Sequence, residues 1–201
     1  MDTTIHIVDV NHYDDPVDFH AMSDAGAVGV ILKATQGSSY KDPKFIEFRE
    51  RAMTVFDAAC VHSYHFLDDS DPNAQIENYL TVTDGMRGRW LDYEPNKANT
   101  CSLDGATSAC HILAQKQGSF PGMYGSDGGL LGQALLQGHF TVCPLWIARY
   151  STNPPLHKGN LWQYQAGESA TVMIGGKGYD LSMFMNGDAD ACKQWMASLA
   201  Q

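Results

Sequence analysis

The sequence predicts an α/β fold, an abbreviated TIM-like barrel built as a single domain. Runs of β-branched and aromatic residues alternate with helical patterns as far as Ala148, which is typical of parallel strands joined by crossover helices. Eight such runs can be counted, with too few helices for a complete (β/α)8 barrel. The chain also has only 201 residues, whereas a complete barrel usually needs about 250.

The predicted elements follow in chain order. Strands are predicted over residues 5–10, 28–34, 58–66, 89–92, 121–124, 142–148, 161–165 and 179–184. Helices are predicted over residues 16–25, 42–56, 73–83, 102–117, 128–137 and 189–200. After residue 148 the strands are separated only by a stretch rich in Gly, Pro, Asn and Ser and by GGKG at 175–178, which has the composition of a hairpin turn. Such short connections predict antiparallel pairing in this part of the chain.

Composition excludes several classes of function. The 13 Lys and Arg residues are outnumbered by 23 Asp and Glu residues, which gives a net charge of −10. Nucleic acid is therefore not expected as a partner, because a polyanion needs a positive surface. No apolar run approaches the roughly 18 residues of a membrane span, and the N-terminus lacks the pattern of a secretory signal. We expect a protein made in the cytoplasm that does not insert into membranes.

The cysteines do not form a recognisable framework. Their number is odd and their spacing scattered, which favours reduced thiols that pack as small core residues; a catalytic thiol is the alternative. They are Cys60, Cys101, Cys110, Cys143 and Cys192.

The most informative segment is RGRWLDYEP, in which Asp92 and Glu94 lie two residues apart at the end of a short apolar run. Positions i and i+2 of a strand point to the same face, so both carboxyl groups are expected to enter one space. Two acids held close together resist simultaneous ionisation, and a neutral acid beside an anion is what glycosidic bond cleavage requires. Alone, the motif would equally suit a solvated turn or a helix cap.

Two further acids lie in apolar surroundings. Asp9 ends the first predicted strand in IHIVDVNH, and Asp180 lies within GYDLSMF near the last one. Each alone is typical of a polar residue at a strand end, but four carboxyl groups at the ends of three strands indicate an acidic site.

Aromatic residues complete the pattern, because sugar rings pack on aromatic planes while their hydroxyl groups take hydrogen bonds. Core packing is the alternative for any one ring. The candidates are Tyr64, Phe66, Tyr93, Tyr124, Trp146, Tyr150, Trp162 and Tyr164.

From about residue 5 to 188 the chain resembles the glycoside hydrolase family 25 muramidases, the Chalaropsis-type lysozymes that include phage endolysins. The resemblance rests on seven segments in order: IVDVNHYD, GVILKATQGSSYKDP, HSYHF, WLDYEP, WIARYS, LWQYQ and YDLSMF. It implies a (β/α)5(β)3 barrel. It also implies hydrolysis of the β-1,4 bond between N-acetylmuramic acid and N-acetylglucosamine in peptidoglycan.

The resemblance also implies residue roles. Glu94 matches the proton donor, and Asp92 matches a carboxylate that assists the substrate's acetamido group or a water molecule. Asp9 and Asp180 match the other acids of the cleft. The predicted substrate-binding residues are Tyr64, Tyr124, Trp146, Tyr93, Gln36 and Trp162.

Two positions depart from the family pattern. The usual KATEG reads KATQG, so Gln36 replaces a glutamate, and Asp14 stands where Asn or Gln is common. A barrel that binds saccharide without cleaving it is therefore one alternative to a muramidase, with Gln36 as its support. A hydrolase of another amino sugar polymer, such as chitin, is a second alternative.

No cofactor or metal is expected. His62 and His65 lie three apart on a predicted strand and should face opposite sides, and no HExxH or Cys/His spacing occurs. We expect a monomer whose partners are peptidoglycan glycan strands. The catalytic domain is expected to span residues 1–201 without a separate wall-binding module, and to reach the wall through a membrane lesion or by injection.

Overall fold

A computed structural model describes residues 4–86 and 88–200 and contains a closed barrel with helices around it. Its strands are β1 (Ile7–Val10), β2 (Gly29–Gln36), β3 (Tyr40–Lys41), β4 (Val61–Phe66), β5 (Arg89–Asp92), β6 (Gly122–Ser126), β7 (Leu145–Ala148), β8 (Leu161–Gln165), β9 (Met173–Ile174), β10 (Lys177–Gly178) and β11 (Asp180–Phe184). Its helices are α1 (Phe19–Asp24), α2 (Phe45–Ala52), α3 (Pro72–Val82), α4 (Leu103–Gln117), α5 (Leu130–Leu136) and α6 (Ala189–Leu199).

Eight strands close the barrel in the order β1-β2-β4-β5-β6-β7-β8-β11. Neighbours from β1 to β8 pair in parallel, and β11 pairs antiparallel with both β8 and β1, which closes the ring. Helices α1 to α5 connect the first six barrel strands, whereas the last three barrel strands follow one another without an α-helix. The (β/α)5(β)3 prediction is confirmed.

The connection between β7 and β8 corrects one expectation. The short linker predicted antiparallel pairing, but the two strands are parallel, with Trp146 opposite Leu161. Residues 149–160 return the chain to the other end of the barrel without a helix, and the buried carboxylate of Asp127 holds them through the backbone N–H groups of Leu156 and His157. The side chain of Asp127 therefore holds this connection in place, where a crossover helix would be usual.

The turn predicted at GGKG is confirmed. Gly175 and Gly176 connect β9 to β10 with φ values of +58° and +83°, a backbone region that glycine enters without steric cost. Helix α1 begins later than predicted, at Phe19, because the carboxylate of Asp18 caps the N–H of Ala21. Helix α2 is also shorter than its predicted range.

The core has two layers because the barrel strands are buried on both faces. Side chains inside the barrel, among them Trp90 and Trp146, pack in one cluster, and the rings of these two tryptophans meet edge to face at 5.8 Å. A larger cluster fills the space between the barrel and the helices. Helix α6 closes the amino end of the barrel with Cys192 and Met196, so the interior opens at the carboxyl ends of the strands.

None of the helices in the described part of the chain combines the length and hydropathy of a membrane span.

Candidate active site

Asp92 and Glu94 lie in the wall of one cleft of about 170 Å³ at the carboxyl ends of the barrel strands. Asp92 is the last residue of β5, opposite Phe66 of β4 and Tyr124 of β6. The N–H of Tyr93 donates to the carbonyl group of Tyr124 over 2.9 Å, which continues the strand geometry by one residue. Strand alternation therefore directs both carboxyl groups inward.

Asp9 and Asp180 enter the same cleft from neighbouring strands. They are direct partners in the antiparallel register of β1 and β11, and both side chains line the cleft beside Asp92 and Glu94. The N–H of Gly167 donates to Oδ1 of Asp180 over 2.5 Å. Four carboxyl groups from three strands are thus gathered in one space.

Aromatic rings form the rest of this wall. Tyr64, Phe66, Tyr124 and Trp146 line the cleft. Trp146 is almost wholly buried, its ring lies 4.3 Å from that of Tyr124, and its indole N–H donates to Ser182 over 2.9 Å. The cleft is therefore lined by aromatic rings as well as by acids.

Gln163 connects the acids to the tyrosines. Its Nε2 donates to Oδ2 of Asp9 over 2.9 Å, while its Oε1 accepts from the hydroxyl groups of Tyr124 and Tyr150 over 2.7 and 2.8 Å. Sequence reasoning missed this residue. Its place two residues after the inward-facing Leu161 was the available signal.

Burial dominates the electrostatics of the four acids. Loss of solvent raises the pKa of Asp9 well above its usual range, and the nearby Asp180 raises it further. Loss of solvent also raises the pKa of Asp180. Because charged carboxylates are expensive in a dry, crowded cleft, part of this set retains protons at pH values where exposed acids are ionised.

Asp92 and Glu94 titrate as an interacting pair. Burial raises the pKa of Asp92 well above its usual range and Glu94 raises it further, while Lys33 lowers it. The pKa of Glu94 is raised by burial and then by Asp180. Asp92 is the more deeply buried of the two, so burial opposes the expected arrangement, in which Asp92 is the anion and Glu94 the neutral acid.

Lys33 is a cleft residue that sequence reasoning missed. It lies on β2, two residues after the inward-facing Ile31, and its ammonium group enters the cleft near Asp92. Among the described residues that line this cleft, it is the only one that carries positive charge. A lone lysine in the buried run GVILKATQ was the signal that could have identified it.

The cleft continues at both ends. Glu94 also borders a pocket of about 440 Å³ that contains Arg149 and Tyr150, and Lys33 also borders a pocket of about 370 Å³ that contains Tyr13 and Tyr40. The three spaces together form an elongated groove with the acids at its centre. A groove of this shape can accommodate a polymer.

Three predicted binding residues lie elsewhere. Tyr93 alternates with the two acids, so it points out of the barrel and packs against Phe140, with ring centroids 6.2 Å apart. Trp162 lies between the inward-facing Leu161 and Gln163, and its indole N–H donates to the carbonyl group of Arg149 over 2.8 Å. Neither lines the central cleft, and the role of both residues in substrate binding stays a prediction.

Gln36 is the third of these residues. It borders the Tyr40 pocket rather than the central cleft, and its Oε1 accepts a hydrogen bond from Nζ of Lys33 over 3.1 Å. The replacement of glutamate by glutamine therefore leaves the four acids of the cleft in place.

His62, His65 and the cysteines have structural surroundings. His62 lies inside the barrel against Trp90, and His65 lies outside it with Thr35 and Gln75, on opposite faces as predicted. All five cysteines are free and buried. Within residues 4–86 and 88–200, no group of three or more His, Cys, Asp or Glu residues could hold a metal ion.

A barrel that gathers carboxyl groups and aromatic rings at the carboxyl ends of its strands has the architecture of a carbohydrate-active enzyme. One family model narrows this class to a single family. The model for glycosyl hydrolases family 25 matches residues 8–172, and the chain belongs to this family.

Solved structures share the fold. A bacterial lysozyme from Streptomyces coelicolor is 21% identical, with a TM-score of 0.81 over 100% of this chain and 98% of that one. A muramidase from Trichobolus zukalii is 24% identical, with a TM-score of 0.76 over 96% of this chain and 97% of that one.

Curated relatives are longer. The autolytic lysozyme of Clostridium acetobutylicum is 23% identical over 90% of this chain and 56% of the relative. The N,O-diacetylmuramidase of Chalaropsis sp. is 28% identical over 61% of this chain and 52% of the relative. The chain thus spans about half the length of the curated relatives it matches.

Proposed function

We propose that the protein is an N-acetylmuramidase that cleaves the β-1,4 bond between N-acetylmuramic acid and N-acetylglucosamine in peptidoglycan. One observation carries the proposal. In a chain of family 25, four carboxyl groups and several aromatic rings line one cleft at the centre of an elongated groove, the acids being Asp9, Asp92, Glu94 and Asp180. Relatives named as lysozyme and muramidase support the choice of polymer.

Glu94 is the proposed proton donor. It is less buried than Asp92 and borders both the central cleft and the Arg149 pocket, so a glycosidic oxygen that crosses this boundary lies within its reach. Its raised pKa, caused by burial and by Asp180, favours the protonated form that such a donor needs.

Asp92 is the proposed anion. From its deeper position it faces the same space, where positive charge develops at the sugar ring as the bond breaks. It assists either the acetamido group of the substrate, in a retaining reaction, or a water molecule, in an inverting one. Asp9 and Asp180 shape the field around this pair.

The cell wall is the proposed site of action, with residues 1–201 acting as a catalytic domain and a monomer. Mass spectrometry of fragments released from defined peptidoglycan tests the activity. Products that end in reducing N-acetylmuramic acid would support it, whereas products that end in reducing N-acetylglucosamine would contradict the bond assignment.

The two alternative functions are tested in the same assay. Release from chitin but not from peptidoglycan would identify another amino sugar polymer as the substrate. Binding of both without release would identify a non-catalytic barrel. The position of Gln36 outside the central cleft weighs against the second alternative, because the four acids remain complete.

A further inference from the structure

Asp92 presents an electrostatic problem. Its side chain is 5% exposed, and its Oδ1 accepts no hydrogen bond from any described residue. Hydrogen-bond donors or a cation normally stabilise a buried carboxylate, and without them the neutral form is favoured. Because the proposed function requires Asp92 as an anion, a nearby positive charge has to offset the burial.

Lys33 is positioned to supply this charge. Its Nζ donates to Oε1 of Gln36 over 3.1 Å and lies 5.2 Å from the ring centroid of Phe66 and 5.8 Å from that of Tyr40. The amide and the two rings hold the ammonium group in a fixed, partly desolvated place, where its interaction with Asp92 is stronger than in water.

Gln36 holds the ammonium group without neutralising it. An amide oxygen accepts a hydrogen bond but carries no net charge, whereas a carboxylate at this position would form an ion pair with Lys33. A carboxylate here would also add negative charge beside an already acidic cleft. The amide therefore leaves the positive charge of Lys33 available to Asp92.

We propose that Lys33 is a positioning residue that acts through Asp92: its ammonium group favours the anionic form of Asp92, and Gln36 orients that group while preserving its charge. The proposal rests on the proposed function. The other titratable groups that face Asp92 are carboxylic acids and phenols, which favour its neutral form when they are charged. The groups around Asp92 are Lys33 from β2, Asp9 from β1, Tyr64 from β4, Glu94 after β5, Tyr124 from β6 and Asp180 from β11. Asp42 also faces Lys33.

The first test is the pH dependence of kcat/KM on purified peptidoglycan. Loss of the charge in Lys33→Met should move the acidic limb of the profile upward by about one pH unit or more, because Asp92 then ionises at higher pH. Gln36→Glu should move it in the same direction by less, and Lys33→Arg should retain the wild-type limb. Lys193→Met, on the exposed face of α6 at the other end of the barrel, should leave the profile unchanged.

The second test does not depend on activity. The carboxyl carbon of Asp92 is titrated by NMR in a Glu94→Gln background, in which only one acid of the pair ionises. Adding Lys33→Met should raise the titration midpoint of Asp92 by about one pH unit or more. An amide correlation spectrum of each variant shows that it is folded, and Gln36→Glu provides the test if Lys33→Met does not fold.

The possible outcomes separate the two proposals. A wild-type protein that releases no fragments would contradict the proposed function, while the NMR titration would still decide the role of Lys33. If the wild type is active, two results would overturn the role of Lys33. In one, Lys33→Met keeps the acidic limb of the wild-type profile; in the other, Lys33→Met loses the same fraction of activity at every pH. If Lys33→Met shifts the NMR titration midpoint of Asp92 but not the acidic limb of the kcat/KM profile, the link between Lys33 and catalysis would be overturned.

Discussion

The side chain of Gln163 donates a hydrogen bond to Asp9 over 2.9 Å and so joins β8 to β1 inside the barrel. Its carbonyl oxygen accepts from Tyr124 and Tyr150. Removing this amide leaves one buried carboxyl group and two hydroxyl groups without their partner. Gln163→Leu should therefore lower the free energy of unfolding by about 1–3 kcal/mol.

Urea denaturation at pH 7 measures this effect. Gln133→Leu makes the same chemical change at an exposed position of α5 and should alter stability by less than about 0.5 kcal/mol. Equal stability of Gln163→Leu and Gln133→Leu would show that the network contributes nothing to folding. Because Gln163 lowers the pKa of Asp9, the Leu variant should also titrate this acid at higher pH.

The role of Glu94 gives the second prediction. Glu94→Gln keeps the size of the side chain but removes the transferable proton, so kcat on peptidoglycan should fall by roughly 10²- to 10⁴-fold. Circular dichroism and the urea midpoint should show an intact fold. Glu50→Gln, at an exposed position of α2, is the matched control and should retain activity. Near-wild-type turnover by Glu94→Gln would remove Glu94 from the proposed mechanism.

Local patterns were sufficient to predict most of the barrel. Alternation of strand and helix signals identified all eight barrel strands and the absence of α-helices between β7 and β11. The direction of β8 was predicted wrongly, because residues 149–160 form a connection long enough for a parallel return. Asp127 holds this connection from a position distant in sequence. The composition of the linker does not reveal this tertiary contact.

The site shows the same limit at the level of single residues. Strand alternation correctly placed Asp92 and Glu94 in one space, and the same rule would have placed Tyr93 outside it. The orientation of Trp162 and Lys33 was harder to predict. Their strands are buried on both faces, so polar and apolar residues do not alternate and the sequence does not show which side chains face the inside of the barrel. The register with neighbouring strands determines which side chains face inward.

The burial of Asp92 gives a prediction about stability and pH. Its folded-state pKa is raised by burial and by Glu94, so the acid stabilises the fold only while it is neutral, and that contribution is lost as pH rises above about 4. Asp92→Asn should match the wild type near pH 4 and become the more stable protein toward pH 7. The gain should be at most about 1.4 kcal/mol for each pH unit.

Urea denaturation from pH 4 to 7 measures this trend. Asp84→Asn, at an exposed position, is the control variant. An Asp92→Asn variant that loses stability toward pH 7 would show that the carboxylate is well stabilised in the fold, contrary to its burial. If Asp92→Asn is more stable than the wild type but loses activity, the charge arrangement of the cleft lowers the stability of the fold.

Asp127 should show the opposite dependence on pH. Although burial raises its pKa, hydrogen bonds from the Leu156 N–H, from His157 and from Arg149 outweigh burial and lower the pKa to about 2. A depressed folded-state pKa means that the carboxylate stabilises the fold above about pH 4 and that this contribution is lost as pH falls toward 2. Asp127→Asn should therefore cost about 2 kcal/mol at pH 7.

The same denaturation series tests this prediction. The deficit of Asp127→Asn relative to the wild type should shrink between about pH 4 and 2, and Asp84→Asn is again the control variant. Because residues 149–160 carry Arg149 and Tyr150 to the groove beside Glu94, a loosened anchor should also raise KM for peptidoglycan more than it lowers kcat. A deficit that is the same at every pH would mean that the shape of Asp127, and not its charge, holds the connection between β7 and β8.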